Sequence, residues 1–263
     1  MGPPVSELSR RCLELFSLIG FAASGLLGPV PAAGQTVDQL LKAPEQLLEK
    51  VDQIRAPETF VFDLKLTTYR GADVHSVNGF TVHVKDSSKS LVKFTAPPAN
   101  RGRVLLMSGE NLWIYIPGSR GALRISPQQR LLGQIAYGDV ARVVYNLDYR
   151  AARATEEPLE GVRALRVDLQ AKSKGAAHDR ITLWVDRETL RPIKAEFLAL
   201  SGKLLKVGYY KGYRLVLGEE RPTILEIHDA IRKGEYSVLE YVSMREEDTP
   251  DIFFQRTYLE HVR

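Results

Sequence analysis

The sequence predicts a mainly β protein with a few helices, built on one large, curved antiparallel sheet. Apolar and polar residues alternate with a period of two over many short segments, and turn residues separate these segments at short intervals. The length of 263 residues suits one large all-β domain or two small ones. Because no repeat, low-complexity tract or linker interrupts residues 35–263, we predict a single domain there.

The first 34 residues have the layout of a secretory signal peptide. Arg10 and Arg11 precede a short apolar run at 15–27, and small residues follow up to Gly34. The run is shorter than the roughly 20 apolar residues that a bilayer span needs. We therefore expect cleavage after Ala33 or Gly34 and a periplasmic location. An uncleaved N-terminal anchor is the alternative.

The chain has a single cysteine, Cys12, which precedes the apolar run. A lipid-anchored lipoprotein carries its cysteine at the cleavage site, so we expect an unanchored mature chain. Such a chain has no disulfide, no cysteine-ligated metal and no cysteine nucleophile. Residues Ser9 to Leu13, SRRCL, also resemble part of a twin-arginine export motif, which leaves the export route open.

An amphipathic helix is predicted at the start of the mature chain, over Val37–Ile54. Apolar residues recur there at helical spacing and form one stripe, and Pro44 suits the first turn of a helix. A helix with one apolar stripe must pack on another element. The stripe consists of Leu47, Leu48, Val51 and Ile54.

Short strands with a period of two follow from Thr59 onward. A second helical or irregular stretch interrupts them, with Ser126 as its cap, Pro127 at its first position and its end near Tyr145. The predicted strands lie at 60–66, 80–84, 90–95, 102–107, 112–116, 122–125, 163–172, 180–186, 192–200, 203–217, 222–229 and 235–244, and a last one is considered at 253–259.

The segment Leu112-Trp113-Ile114-Tyr115-Ile116 is apolar on both faces, unlike a strand of a sheet with one solvated face. About ten strands is near the limit at which an open twisted sheet curls. Full closure fills the interior with side chains or a ligand. Partial closure, with helices over the mouth, leaves a hydrophobic cavity. We predict that one face of this segment packs under a helix or a neighbouring layer and that the other lines a cavity or a second buried surface.

The composition and motifs indicate neither an enzyme nor a nucleic-acid-binding protein. Hydrophobic residues make up 44% of the chain and charged ones 26%, with a net charge of +4. Lysines and arginines are scattered among acids, whereas nucleic-acid binders cluster them. No zinc-type histidine pair, nucleophile elbow or phosphate-binding loop is found. We expect no catalytic residue, no cofactor and no metal.

Four arginines flank the Trp113 segment in sequence. They form a solvated hairpin rim, or one or two of them reach over a cavity mouth and meet a phosphate or carbonyl head group. A weak preference for anionic lipid surfaces is compatible with the mildly basic charge. These residues are Arg101, Arg103, Arg120 and Arg124.

Residues 94–130, FTAPPANRGRVLLMSGENLWIYIPGSRGALRISPQQR, resemble the outer-membrane lipoprotein-sorting proteins of the LolA/LolB-like family. That family has a strand ending in a proline turn, a strand with Gly-Arg, a glycine turn, a Trp-x-Tyr-x-Pro strand and a basic-aliphatic-serine tail. Residues 183–197, LWVDRETLRPIKAEF, are similar to a later strand-turn-strand of the family. The matching residues in the first motif are Phe94, Pro97, Gly102, Arg103, Gly109, Leu112, Trp113, Tyr115, Pro117, Arg124, Ile125 and Ser126.

The resemblance implies a half-open β-barrel covered by helices, with an apolar cavity that carries the acyl chains of lipoproteins across the periplasm. It also implies an inner-membrane transporter and an outer-membrane acceptor as partners. This chain departs from the family in its extra strand material after Leu217 and in lacking the anchoring cysteine of the LolB-like member. We therefore leave the cargo open as lipoprotein or lipid, and expect a monomer.

Site residues follow from combining the resemblance with the strand pattern. We predict cavity walls at Phe94, Leu106, Trp113 and Tyr115, and rim positions at Arg103 and Arg124. A register error of one residue would replace Trp113 and Tyr115 with Leu112, Ile114 and Ile116. The alternative function is a non-catalytic periplasmic interaction module that docks on a membrane transport complex, with a collapsed cavity and no lipid cargo.

Overall fold

The computed structural model describes residues 36–142 and 144–262. The predicted signal peptide lies outside these ranges. The described residues from Thr36 onward belong to one compact unit. None of the helices in the described ranges is long and apolar enough to cross a bilayer.

Thirteen strands form one antiparallel sheet, and two more form a separate hairpin, β7–β8. This architecture confirms the predicted mainly β fold. The strands are β1 Phe60–Arg70, β2 Asp73–Lys85, β3 Lys89–Ala96, β4 Val104–Ser108, β5 Asn111–Tyr115, β6 Leu123–Ile125, β7 Arg130–Leu132, β8 Ile135–Ala136, β9 Tyr149–Glu156, β10 Ala164–Ala171, β11 Arg180–Asp186, β12 Pro192–Leu198, β13 Leu204–Val216, β14 Glu219–Asp229 and β15 Glu235–Arg245.

The sheet consists of two meanders joined in the middle. Strands β1 to β6 run outward in one direction and β15 back to β9 in the other, so that β1 and β15 pair at the centre. Leu66 lies opposite Leu239 in that central pair. Strands β6 and β9 are the two edges and do not pair with each other, so the sheet is not closed into a barrel. This agrees with the predicted half-open arrangement.

The helices lie at the start of the domain and before β9. They are α1 Val37–Lys42, α2 Pro44–Arg55 and α3 Tyr137–Ala141. The prediction of a single helix over Val37–Ile54 is wrong, because the structure has two helices that are separated at Ala43. A residue before proline is disfavoured in the helical region, and Ala43 takes φ −128° and ψ 69°. Pro44 then begins α2, in the first-turn position expected of it.

Two other local predictions are wrong. The stretch predicted as helical or irregular from Ser126 to near Tyr145 does not begin with a helix: a turn and the β7–β8 hairpin come first, with Gly133 in the left-handed conformation at φ +51°. Helix α3 begins only at Tyr137. The last strand considered, 253–259, is instead a pair of 3₁₀ helices at Asp251–Phe254 and Arg256–His261.

Each face of the sheet carries its own apolar cluster. The inner face, defined as the face covered by α1 and α2, carries a continuous cluster that reaches across the sheet from β5 to the edge strand β9. The outer face carries a smaller cluster under the C-terminal 3₁₀ helices. In β5, Leu112 and Ile114 belong to the inner cluster, whereas Trp113 and Tyr115 pack against the outer one. Both faces of this strand are therefore covered, as its sequence predicts.

Candidate functional site

The inner face is closed by a covering layer, which consists of α1, α2 and residues 126–148 (Val143, which is not described, excepted). Helix α2 packs against β9 and β14, and α3 packs against β3 and β4. Leu47, Leu48 and Val51 of α2 are fully buried in the inner cluster. Residues three and four apart lie on one side of a helix, so this stripe turns the apolar side of α2 toward the sheet.

The space beneath α2 and α3 is nearly filled by side chains, whereas a cleft of about 280 Å³ between residues 128–136 and β13 is open to solvent. A cavity of about 40 Å³ remains, and its lining includes Phe62, Leu64, Tyr145, Phe197 and Tyr241. For comparison, one water takes about 30 Å³ of liquid volume and a dry cavity of about 150 Å³ binds benzene. An acyl chain needs far more room, so the described conformation is a closed one.

A buried carboxylate joins the two parts of the covering layer. Asp52 of α2 accepts hydrogen bonds from the backbone N–H groups of Tyr145 and Asn146, with N···O distances of 2.8 and 2.7 Å. Its other oxygen accepts from the Arg55 guanidinium at 2.9 Å. The Arg55 guanidinium also stacks over the Tyr145 ring, 3.9 Å from its centroid. Burial raises the pKa of Asp52, and Arg55 and the two N–H groups oppose that rise.

The end of α2 is tied to the sheet by Arg221. This arginine, on β14, donates to the carbonyl oxygens of Gln53 and Ile54 at 2.6 and 3.0 Å. Those carbonyls belong to the last turn of the helix, where intrahelical partners run out and a cation is favourable. The Tyr145 hydroxyl makes a further link to the sheet, 2.7 Å from the hydroxyl of Tyr210.

A buried charge cluster joins α3, which carries Asp139, to β13, which carries Lys206. Asp139 receives hydrogen bonds from the Lys206 ammonium, from the backbone N–H of Ala136 at 2.7 Å, and contacts Nε2 of His178 at 2.8 Å. Lys206 also donates to the carbonyl oxygen of Gln134 at 3.3 Å. Burial alone would raise the pKa of Asp139, but Lys206 and His178 hold it well below its usual range.

His178 is expected to make the stability pH-dependent. Burial and the Lys206 ammonium lower the pKa of His178 below 6.5, so the folded protein keeps the ring neutral where the unfolded chain takes up a proton. The free energy of unfolding should therefore fall as the pH drops below about 6.5. The His178→Gln variant should lose this part of the dependence of the unfolding free energy on pH. Melting temperatures of both proteins between about pH 7.5 and 5.5 test this, and parallel curves would contradict it.

The predicted site residues do not lie together. Phe94 belongs to the inner cluster and packs edge-on against Phe80, with ring centroids 4.9 Å apart. Leu106, Trp113 and Tyr115 lie on the outer face, against the C-terminal 3₁₀ helices. The predicted wall is therefore corrected by one residue in β4 and β5. Leu105, Met107, Leu112 and Ile114 are the side chains of these strands that face the interior.

The two arginines predicted at the cavity rim also lie away from the interior cavity. Arg124 pairs in register with Trp113, which places it on the outer face at the β6 edge, and its side chain is exposed. Arg103 lies in the turn before β4 and lines an outer depression with Phe94, Val104 and Val262. Neither arginine lines the small interior cavity.

A substitution at Trp113 tests whether this side chain supports the outer face of the sheet rather than the inner face. We expect Trp113→Ala to loosen residues 251–262, because Trp113 packs against the cluster that holds this segment. Amide hydrogen exchange should speed up in that segment while the inner face keeps its protection. Ile114→Ala, a neighbour that faces the inner cluster, is the matched control and should leave the segment protected. Equal exchange of residues 251–262 in both variants would contradict this assignment.

The polar ties of the covering layer were missed in the sequence, although one carried a local signal. Asp52 follows Leu48 by four residues, so an acid stands on the apolar stripe of α2. The bonding partners of Asp52, Arg221 and Asp139 lie far along the chain and have no such signal. Among the described residues, no group of three His, Cys, Asp or Glu side chains is arranged to hold a metal ion.

Comparisons with known proteins agree with this architecture. A family model described as an uncharacterized protein matches residues 86–261. No curated protein matches the sequence. Among solved structures, a LolA superfamily protein from Nitrosomonas europaea is 34% identical, with a TM-score of 0.75 over 81% of this chain and 98% of that one.

Two more distant structures share the fold. A DUF1329 family protein from Desulfovibrio piger is 20% identical, with a TM-score of 0.69 over 83% of this chain and 98% of that one. An outer membrane lipoprotein-sorting protein domain from Vibrio parahaemolyticus is 18% identical, with a TM-score of 0.69 over 82% of this chain and 97% of that one. At these identities the similarity concerns the fold alone.

Proposed function

Because this chain belongs to the LolA superfamily, we propose that it is a periplasmic carrier for the acyl chains of lipoproteins or lipids. The chains would lie on the inner face of the sheet and move toward the outer membrane. The 34% identity to the LolA superfamily protein from Nitrosomonas europaea supports this cargo class. In this proposal the protein is not an enzyme and uses no cofactor. An inner-membrane transporter and an outer-membrane acceptor would be its partners.

The observation that carries the proposal is the construction of the interior. The apolar inner face spans most of the sheet, and the layer over it is held by the apolar side of α2 together with a few polar ties, at Asp52, Arg221 and Asp139. Burial of an acyl chain contributes about 0.8 kcal/mol per CH₂, so roughly sixteen carbons yield up to about 12 kcal/mol before the costs of binding. That gain is the free energy from which opening of the layer would be offset.

The wall of the proposed site lies on the inner face. Phe94 remains part of it, as predicted, together with the corrected set of β4 and β5. The side chains of Leu106, Trp113 and Tyr115 would pack on the outer face of the sheet and would not contact the acyl chain. The lid would be the covering layer, made of α1, α2 and residues 126–148 (Val143 excepted).

The alternative, an interaction module without cargo, has one specific observation in its favour. The interior cavity of about 40 Å³ is too small for an acyl chain, as expected of a collapsed core. In that case the covering layer would be a permanent part of the core, and a membrane transport complex would bind the outside of the domain.

Native mass spectrometry of the protein purified from a bacterial periplasm, followed by solvent extraction, distinguishes the two. A carrier should retain a bound mass that extracts as phospholipid, fatty acid or acylated peptide, and the stripped protein should take up added lipid. A clean apo mass with no uptake would reject the carrier and leave the interaction module. The Trp113→Ala variant serves as a control, because a change on the outer face of the sheet should leave the bound mass unaltered.

A further inference from the structure

The net positive charge of the chain is concentrated at one corner of the sheet. Residues 97–132 contain five arginines and one glutamate, and neither lysine nor aspartate. Their net charge of +4 equals that of the whole chain, so the remaining residues are balanced. Four of these arginines lie in or beside the turns at the ends of β4, β5 and β6, and they are Arg101, Arg103, Arg120 and Arg124.

Two turns touch at this corner. A Cβ atom on Gly102 would lie 2.9 Å from Cγ of Pro117, and Gly102 has φ +81°, so glycine permits the contact. The contact sets the 101–103 turn against the loop 117–122, which carries Arg120. Leu123, at the start of β6, pairs with Ile114 of β5 and extends the same corner.

Two aliphatic side chains of this corner are also exposed. Leu123 pairs with Ile114 and lies on the inner-face side of β6, whereas Arg124 lies on the outer-face side, so the two flank this edge strand. Leu123 is 60% exposed and Ile116 is 38% exposed, while Arg101, Arg120 and Arg124 are exposed as well. We call the four arginines with Ile116 and Leu123 the arginine corner. Exposed aliphatic residues beside cations, without acids between them, are typical of surfaces that enter the headgroup region of a membrane.

The arginines of this corner lack acidic partners. Arg101 donates to the carbonyl oxygen of Thr95 at 2.9 Å, and within the described part of the chain none of the four arginines pairs with a carboxylate. The opposite edge of this part of the sheet, at the end of β2, is different. There, Lys85 pairs with Asp248 and Asp251 at 3.0 and 3.3 Å, supplied by the acidic segment that precedes the 3₁₀ helices. Charge is thus neutralised at one end of the sheet and left unneutralised at the other.

We infer that the arginine corner docks the protein onto an anionic phospholipid bilayer. Each basic residue near such a surface contributes to the attraction, and the exposed aliphatic pair adds burial at the acyl boundary. A bilayer offers both kinds of contact on one continuous surface, anionic headgroups for the arginines and the acyl boundary for Leu123 and Ile116. The corner is separate from the interior cavity, so this docking goes beyond the proposed carriage of acyl chains.

Vesicle co-sedimentation at low salt tests the inference. The purified protein should bind vesicles of phosphatidylcholine with about 30% phosphatidylglycerol, and bind pure phosphatidylcholine at least about tenfold more weakly. Arg120→Glu/Arg124→Glu should lower the affinity for the anionic vesicles by about tenfold or more, because two attractions become repulsions. Leu123→Ser should weaken binding without changing the charge.

The matched control is Arg153→Glu/Arg214→Glu, which makes the same change in net charge. Both control residues are exposed and lie on β9 and β13, away from the corner. Binding within about threefold of the original protein is expected, because the change is remote from the bilayer. Circular dichroism checks that each variant folds, and Arg120→Gln/Arg124→Gln replaces the double reversal if it does not.

Three results would overturn the inference: no preference for anionic vesicles, equal losses in the corner and control variants, or full binding by the corner variant. The first result would point to an acidic protein as the partner of the corner, and the last to a different membrane-binding surface. The cargo measurement is independent, because an unoccupied interior and a bound membrane are compatible. Failure of one proposal is therefore distinguishable from failure of the other.

Discussion

Asp139→Ala is expected to lower the free energy of unfolding by about 3 to 5 kcal/mol, the loss typical when one partner of a buried ion pair is removed. Lys206 is only 4% exposed, and without Asp139 its ammonium would keep only the carbonyl oxygen of Gln134 as an acceptor. The backbone N–H of Ala136 would also lose its acceptor. Urea unfolding followed by circular dichroism measures the change.

A second substitution shows whether the buried charge causes the loss. Lys206→Met in the Asp139→Ala background removes the unpaired ammonium and fills the space with an apolar chain, so most of the lost stability should return. The control is Glu240→Ala, which breaks the solvent-exposed ion pair with Lys65 at 2.8 Å and should cost less than about 1 kcal/mol. Equal losses in the buried and exposed pairs would refute the assignment of Asp139 as an anchor.

The alternation of apolar residues was sufficient to predict most of the sheet. A period of two fixes which segments are strands, and strand pairing then follows from short turns. Strand β9 was missed because its sequence, YRAARATE, is rich in alanine and arginine, which have weak strand preference. This edge strand is stabilised by its pairing with β10, and the local sequence does not encode that contact.

The faces of β4 and β5 could not be assigned from sequence. Alternation identifies two faces but does not say which is inner, and both faces here are apolar. The deciding contact is made by the C-terminal 3₁₀ helices, whose Phe254 and Leu259 cover Trp113 and Tyr115. These helices follow β15 at the end of the chain, and residues 253–259 have a pattern that was compatible with a strand.

The ties of the covering layer depend on contacts between distant residues. Asp52 and Tyr145 are 93 residues apart, and Asp139 and Lys206 are 67 apart. Local periodicity carries no information on such pairs. What the sequence did predict was the need for a cover, since the apolar stripe of the first helical segment required a surface to pack on.

Asp52→Ala is expected to detach the two parts of the covering layer from each other and to cost about 3 to 5 kcal/mol of unfolding free energy. The substitution leaves the backbone N–H groups of Tyr145 and Asn146 without their acceptor, and leaves the buried Arg55 guanidinium without its carboxylate. Asp52→Asn keeps an acceptor oxygen but removes the charge, so its loss should be intermediate. Glu49→Ala, on the exposed side of the same helix, should change stability by less than about 0.5 kcal/mol.

The same variant tests whether the layer is a lid. If α2 and residues 144–148 move apart to admit an acyl chain, Asp52→Ala should bind a hydrophobic dye more strongly and exchange bound lipid faster than the original protein, because the tie between them is lost. Amide exchange should rise in α2 and stay slow in the central strands β1 and β15, because opening a lid leaves the sheet intact. A collapsed core behaves differently, since loss of the tie would then destabilise the layer and the sheet together. Uniformly faster exchange across α2, β1 and β15, without faster lipid exchange, would therefore favour the interaction module over the carrier.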